Sequence, residues 1–300
     1  ILQQSVYSQN HNDSLFKIIN QNKADSNTVH ALILFGVEIE DNFPDSAMKF
    51  YERAQKLAVT SPSINNKMLL YRALIYGLIK RGEHGKALEL TNQFLMETER
   101  IGNKKYLAMA NAAAGTLYGA VNQNDLSLDF YLKATDLFTK LNDTKSLADL
   151  YANMSTVYAD QEQYANAIKY AEKSLSLAIN LKDTFRIIQS YINMAHSYGW
   201  LDSTAAEENY LRQSLVLGNI VNNNYLQMNV FGNFAHWLVE NEKYDSAILY
   251  ASKEYDIARK LQLVTEQSES KAITAWAFIE KKQYGNATTA LEEAKAHVKG

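Results

Sequence analysis

Three short turns set in register constrain this chain more than anything else in it. They are "QYANA" (163–167), "KYDSA" (243–247) and "QYGNA" (283–287), each carrying Tyr-x-x-Ala. Stepping forty residues at a time from them lands on Ala47, Ala87, Ser127, Ala167, Glu207, Ala247 and Ala287, which marks seven like units. A chain that repeats at this period folds by stacking its units, because no unit of that size can bury its apolar face alone. The usual prior of about 150 residues per globular domain therefore does not apply.

Each unit reads as two helices around the turn. The first carries patterns such as "YANMSTVYAD" (151–160), "YINMAHSYGW" (191–200) and "FGNFAHWLVE" (231–240); the second reads like "AMKFYERAQKLA" (47–58) or "AIKYAEKSLSLA" (167–178). Apolar residues at i, i+3, i+4 and i+7 make these amphipathic helices. Links between units fall on the same ruler: "SPSINN" (61–66), "IGNKK" (101–105), "LNDTK" (141–145), "LKDTF" (181–185) and "VNNNY" (221–225). Asn, Asp and Thr there accept hydrogen bonds from the unpaired amides of the next helix. The two prolines, Pro44 and Pro62, fall between helices, where no ladder bond is lost. Residues 13–23, "DSLFKIINQNK", form one further amphipathic stretch that covers the exposed end of the stack. Nothing comparable follows the seventh unit, so Gly300 reads as a point where a longer natural chain is cut.

Composition removes several classes of function. A net charge of −3 spread without blocks gives no basic footprint for nucleic acid. The longest dense apolar run, "ALILFGV" (31–37), is too short to span a membrane, so no membrane contact is expected within this chain. With no cysteine there are no disulfides, thiolate metal sites or cysteine nucleophiles. "RGEHGKALEL" (81–90) resembles a phosphate loop only in fragment, lacking G-x-x-x-x-G-K-[ST] and a preceding strand. No metal motif such as H-E-x-x-H and no catalytic triad spacing is present, so no cofactor, metal or catalytic residue is assigned.

The small residue followed three later by an aromatic in the first helix (Gly115 and Tyr118, Ser155 and Tyr158, Ala195 and Tyr198) resembles the tetratricopeptide repeat. So do the small–aromatic–small residues Ala47, Tyr51, Ala54 and Ser127, Tyr131, Ala134 of the second helix. The resemblance covers about residues 28–297. It implies an all-α fold, a right-handed α-α superhelix of helix-turn-helix repeats. Those repeats would run over 28–61, 65–101, 105–141, 145–181, 185–221, 225–261 and 265–299, after an N-terminal segment and capping helix over 1–27. The chain departs from the family in three ways. Its period is forty rather than the usual thirty-four, Gly36 fills the small position of the first unit, and Glu207 replaces the turn alanine. The last predicts irregular packing in the fifth repeat.

Helical geometry separates repeated from varied positions. At about 100° per residue, Tyr191, Met194, Ala195 and Tyr198 share a packing face. The opposite face would, by the resemblance, line a concave groove. Its early rows, Leu69, Ala73, Tyr76, Lys80 and Met109, Ala113, Thr116, Ala120, are mostly apolar or small. Its later rows supply the candidate ligand-binding residues: Asn153, Thr156 and Asp160; Asn193, His196 and Trp200; Asn233, His236 and Glu240; and Trp276 and Glu280. Asn153, Asn193 and Asn233 make an amide ladder that can donate to and accept from an extended peptide, or brace neighbouring helices. His196 and His236 form a polar, pH-responsive pair, and Trp200 and Trp276 offer stacking surface or fill gaps. Trp237 reads as interhelical packing.

These residues suit a non-catalytic domain that binds a peptide or protein segment, or a small polar or basic ligand. The opening sixty residues, with a short helix, an Asp/Asn-rich link and the "PDSA" turn, resemble the extracytoplasmic sensor region of bacterial membrane-anchored histidine kinases and related regulators. That resemblance implies a periplasmic position and an output module outside this chain. A cytoplasmic assembly scaffold or peptide-regulated module uses the same groove, and a glycan-binding solenoid would use Trp200 and Trp276.

Overall fold

The computed structural model describes residues 14–21, 23–40, 43–221 and 223–298. Those residues are helical with short connections, and no strand occurs among them. They divide into two compact bodies, Leu2–Tyr170 and Ala171–Gly300. The all-α solenoid expected from the repeat is the architecture each body shows.

The N-terminal body begins with α1 (14–20), α2 (Ser26–Ile39) and α3 (Pro44–Ala58). It continues with α4 (Ile64–Lys80), α5 (His84–Ile101), α6 (Lys104–Ala120), α7 (Asn124–Lys140) and α8 (Thr144–Asp160). The short α1 covers the end of the stack: Leu15 and Ile19 are buried, and the Phe16 ring meets Phe35 edge-on at 4.6 Å. The segment before residue 14 lies outside the described residues. Pro44 opens α3 at a position whose amide has no intrahelical partner anyway.

The division between bodies falls inside α9 (Tyr164–Leu181). The C-terminal body then holds α10 (Thr184–Trp200), α11 (Thr204–Gly218), α12 (Asn224–Glu240), α13 (Tyr244–Leu261), α14 (Val264–Glu280) and α15 (Tyr284–Val298). From α10 to α15 each helix packs on the next, and α12 also packs on both α10 and α14.

Close approach between paired helices explains the small residues of the repeat. A Cβ on Gly36 would lie 2.3 Å from the Tyr51 ring, and one on Gly115 would lie 2.5 Å from Tyr131. In the next repeat Ser155 fills the equivalent space and donates its Oγ–H to the Ala167 carbonyl at 2.8 Å. The links behave as helix caps. Ser63, Asn103, Asp143, Asp183 and Asn223 each accept from backbone amides of the following helix. Many turns pass through one left-handed residue, and most are not glycine: Asn122, Glu162, Asp202, Glu242 and Lys282 all lie near φ 55–60°.

The fifth repeat departs less than its sequence suggests. Tyr198 and Tyr210 stack at 5.6 Å across α10 and α11, much as Tyr158 and Tyr170 stack at 5.0 Å one repeat earlier. Glu207 fits because Gly199 stands opposite it. The irregularity is confined to the end of α11, which stops at Gly218 where a Cβ would lie 2.9 Å from Val230.

Candidate functional site

The C-terminal body contains a cavity of about 970 Å³ walled by α10, α12 and α14, with α11 and α13 closing its floor. That volume lies at the upper end of the range for ligand pockets, about 300–1,000 Å³. Of the candidates named from sequence, His196, Trp200, Asn233, His236, Glu240 and Trp276 all line it.

The three tryptophans differ in exposure. Trp237 is 2% exposed, and Lys243 Nζ covers its face at 4.3 Å, so it is interhelical packing. Trp200 is 72% exposed and Trp276 38%, and the Trp276 ring meets His236 edge-on at 5.9 Å. Turn geometry puts Trp200 at the last position of α10, on the rim.

The polar wall is ordered by hydrogen bonds within the chain. His196 Nε2–H donates to Asn233 Oδ1 at 2.6 Å, and Asn233 Nδ2 donates to the Asn229 carbonyl at 2.8 Å. Asn233 therefore joins α12 to α10 and fixes the histidine ring. His236 Nδ1 lies 3.3 Å from the Glu240 carboxylate one turn away. The surrounding protein desolvates His196 and pushes its pKa below the ordinary value, with His236 adding to the fall and Asn233 and Glu240 opposing it. Protonation of His196 is accordingly displaced toward more acidic pH than an unperturbed histidine would show.

The remaining candidates lie elsewhere. Asn193 accepts from Gln189 Nε2 at 3.0 Å and is not on the cavity wall, nor is Glu280. Asn153, Thr156 and Asp160 belong to the N-terminal body. There the Asn153 amide meets the Tyr131 hydroxyl, Thr156 Oγ1 donates to the Ala152 carbonyl at 3.4 Å, and partial desolvation raises the Asp160 pKa. Of the apolar rows read as groove lining in that body, Ala73, Met109 and Ala113 are buried core residues.

Sequence reasoning missed the floor. Glu207 of α11 and Glu254 of α13 reach the cavity from below, and Glu266 and Glu269 of α14 join them. Among the described residues no Lys or Arg lines the cavity. Glu254 is 5% exposed, and desolvation, then Glu269 and Glu266, push its carboxyl up to about 8. Burial raises the Glu207 pKa too, with Glu240 adding to the shift while Trp237 and His236 oppose it. Burial and Glu266 raise that of Glu269. The signal was present on the forty-residue ruler. Positions equivalent to Glu254 read Ala54, Phe94, Ala134, Ser174, Ser214 and Ala294, so an acid there stands out as Glu207 does.

Among the described residues no group of three or more His, Asp or Glu side chains is placed to hold a metal ion, and no helix is long and apolar enough to cross a membrane.

The arrangement of helix pairs is that of a tetratricopeptide-repeat solenoid. No protein-family model matches the chain, and no curated protein matches it in sequence. Solved structures share the fold. One is a signal-transduction ATPase with numerous domains and a tetratricopeptide repeat sensor from Pyrococcus horikoshii. It has TM-score 0.67 and 14% identity over 88% of this chain and 42% of that one. A second is aspartyl phosphate phosphatase F from Bacillus subtilis, with TM-score 0.63 and 13% identity over 95% of this chain and 74% of that one. A third is a Rap protein in complex with competence and sporulation factor. Its TM-score is 0.60, with 12% identity over 91% of this chain and 98% of that one.

Proposed function

We propose that the chain is a non-catalytic binding domain whose C-terminal body takes a peptide or protein segment in the cavity between α10, α12 and α14. The observation that carries this reading is the cavity itself. It gathers two exposed tryptophans, the ordered His196–Asn233 pair and a set of carboxylates in a volume suited to several residues of an extended segment. Exposed indoles supply apolar area at low entropic cost, and the fixed amide and imidazole supply direction. The Rap complex and the tetratricopeptide sensor are proteins of the same fold that bind or sense, which supports the reading by analogy of fold.

A screen of immobilised peptides, followed by titration of the hits, tests it. Hits should lose most of their affinity in Trp200→Ala, a substitution at an exposed site, once circular dichroism shows that the variant is folded. Peptides that bind the parent, Trp200→Ala and Trp276→Ala equally would place binding elsewhere. Hits on a carbohydrate array in place of peptides would favour the glycan-binding alternative.

We further propose that this domain is the sensor or interaction region of a bacterial signalling protein, held on the extracytoplasmic side of the membrane. The support is the resemblance of the first sixty residues to such sensors. A topology reporter fused in the full-length gene distinguishes this from a cytoplasmic scaffold: reporter activity confined to the cytoplasm would sink it.

A further inference from the structure

Glu207 occupies a position that every other repeat keeps small, and Glu254 one that every other repeat but the second, with Phe94, keeps small. The chain has accommodated each with a glycine on the preceding first helix. A Cβ on Gly199 would lie 2.6 Å from a Glu207 carboxyl oxygen, and one on Gly232 would lie 2.4 Å from a Glu254 carboxyl oxygen. Two side chains have thus been given up to seat two carboxyls under one cavity.

Glu254 is not a satisfied structural group. It is 5% exposed, and its Oε2 has no hydrogen-bond partner among the described residues. The charged and titratable groups facing the cavity with it come from every surrounding helix and turn: Glu266 and Glu269 from α14, Tyr225, His236 and Glu240 from α12, His196 from α10, and Asp202 and Glu207 from the turn and α11. Nearby cations point away. Lys253 sits over the Phe231 and Tyr250 rings, Lys271 pairs with Glu293, and Lys243 covers Trp237 beside Glu208. A buried acceptor without a donor is costly, and the usual resolutions are a hydrogen-bonding partner or loss of the charge. Among the described residues no donor meets Oε2, so the first resolution is left to a ligand.

We infer that the cavity recognises a protonated amine or guanidinium carried on an apolar stem, with the cation seated on Glu254 and the stem against Trp276, Ile273 and Met228. This rests on the reading of the cavity as a ligand site. The placement of acids suits an organic cation and not a metal, since no three of them converge among the described residues. Tryptophan faces add attraction for such a cation within about 6 Å. Near neutral pH the Glu254 carboxyl holds its proton, so binding converts the carboxylic acid to carboxylate and releases that proton to buffer. The same chemistry arrives in two forms, a free alkylamine or a Lys or Arg side chain on a peptide.

Isothermal titration of the whole chain with three probes separates them: n-butylammonium, methylguanidinium, and a capped Gly-Lys-Gly peptide beside its Nε-acetylated form. At least one cationic probe should bind, and the acetylated peptide should not. Affinity should rise about tenfold from pH 6 to pH 7 and flatten above pH 8, with proton release detectable in buffers of different ionisation heat. Glu254→Gln keeps size and polarity, so it should fold while weakening binding by about tenfold or more and abolishing the pH slope. Equal affinity of n-butylammonium and the lysine peptide identifies the small amine as sufficient; tighter binding of the peptide identifies a basic residue of a segment. Three results overturn the inference: no cationic probe bound by the parent, equal binding of the acetylated peptide, or binding indifferent to Glu254→Gln. A peptide lost in Trp200→Ala yet unaffected by Glu254→Gln would leave the peptide-binding reading standing and remove only this one.

Discussion

Glu254→Gln should make the C-terminal body more stable, by an amount set by pH. The folded carboxyl titrates at about 8 against 4.5 for the unfolded chain, because burial and the two α14 glutamates disfavour its charge. A raised folded pKa contributes stability that is fully present below the unfolded value and is lost as pH rises through the folded one. At pH 7 the unfolded carboxyl is ionised while the folded one keeps its proton, and linkage puts that difference at about 3 kcal/mol. By pH 9 it reaches about 5 kcal/mol. Gln occupies the same volume and carries no charge to suppress. The variant should therefore match the parent near pH 4, exceed it by about 3 kcal/mol at pH 7, and diverge further to pH 9. All three tryptophans lie in this body, so urea unfolding followed by tryptophan fluorescence reports on it directly. A stability difference that stays constant from pH 4 to pH 9, or is absent at pH 8, would refute both the burial argument and the proton assignment. A variant that is more stable but binds nothing is the trade expected where a site stores an unfavourable group.

Two further substitutions probe the same physics at other points. Gly232→Ala should destabilise by about 1–3 kcal/mol because its Cβ collides with the Glu254 carboxyl. Adding Glu254→Ala should recover most of that loss in a double-mutant cycle; additive losses would show that the glycine is not there for the carboxyl. Glu162 holds a left-handed conformation at φ 59°, where Gly82 stands two repeats earlier. Glu162→Gly should raise stability by up to about 1 kcal/mol, measured by denaturant midpoint, and a fall would mean that the turn residue is held by its side chain.

The repeat architecture was legible in the sequence because its causes are local and recur. Tyr-x-x-Ala turns, capping Asp and Asn residues and small residues opposite aromatics each report a helix end or a close approach, and seven copies in register remove chance. Which candidates meet was not legible. Asn193 and Asn233 hold equivalent positions, yet one faces Gln189 on its own helix and the other clasps His196 across helices, because the neighbouring side chains differ. The amphipathic pattern also read Ala73, Met109 and Ala113 as groove lining, whereas neighbouring helices bury them.

The periodic sequence by itself determined an all-α stack, the positions of its turns and caps, and one face on which His196, His236, Trp200 and Trp276 would gather. Only tertiary structure decided that second helices thrust Glu207 and Glu254 up between the first helices into the same cavity. Periodicity fixes the face a residue occupies on its own helix. Whether a buried carboxyl finds a donor, meets a glycine or stands among other acids depends on side chains of neighbouring helices, brought close only when the helices pack.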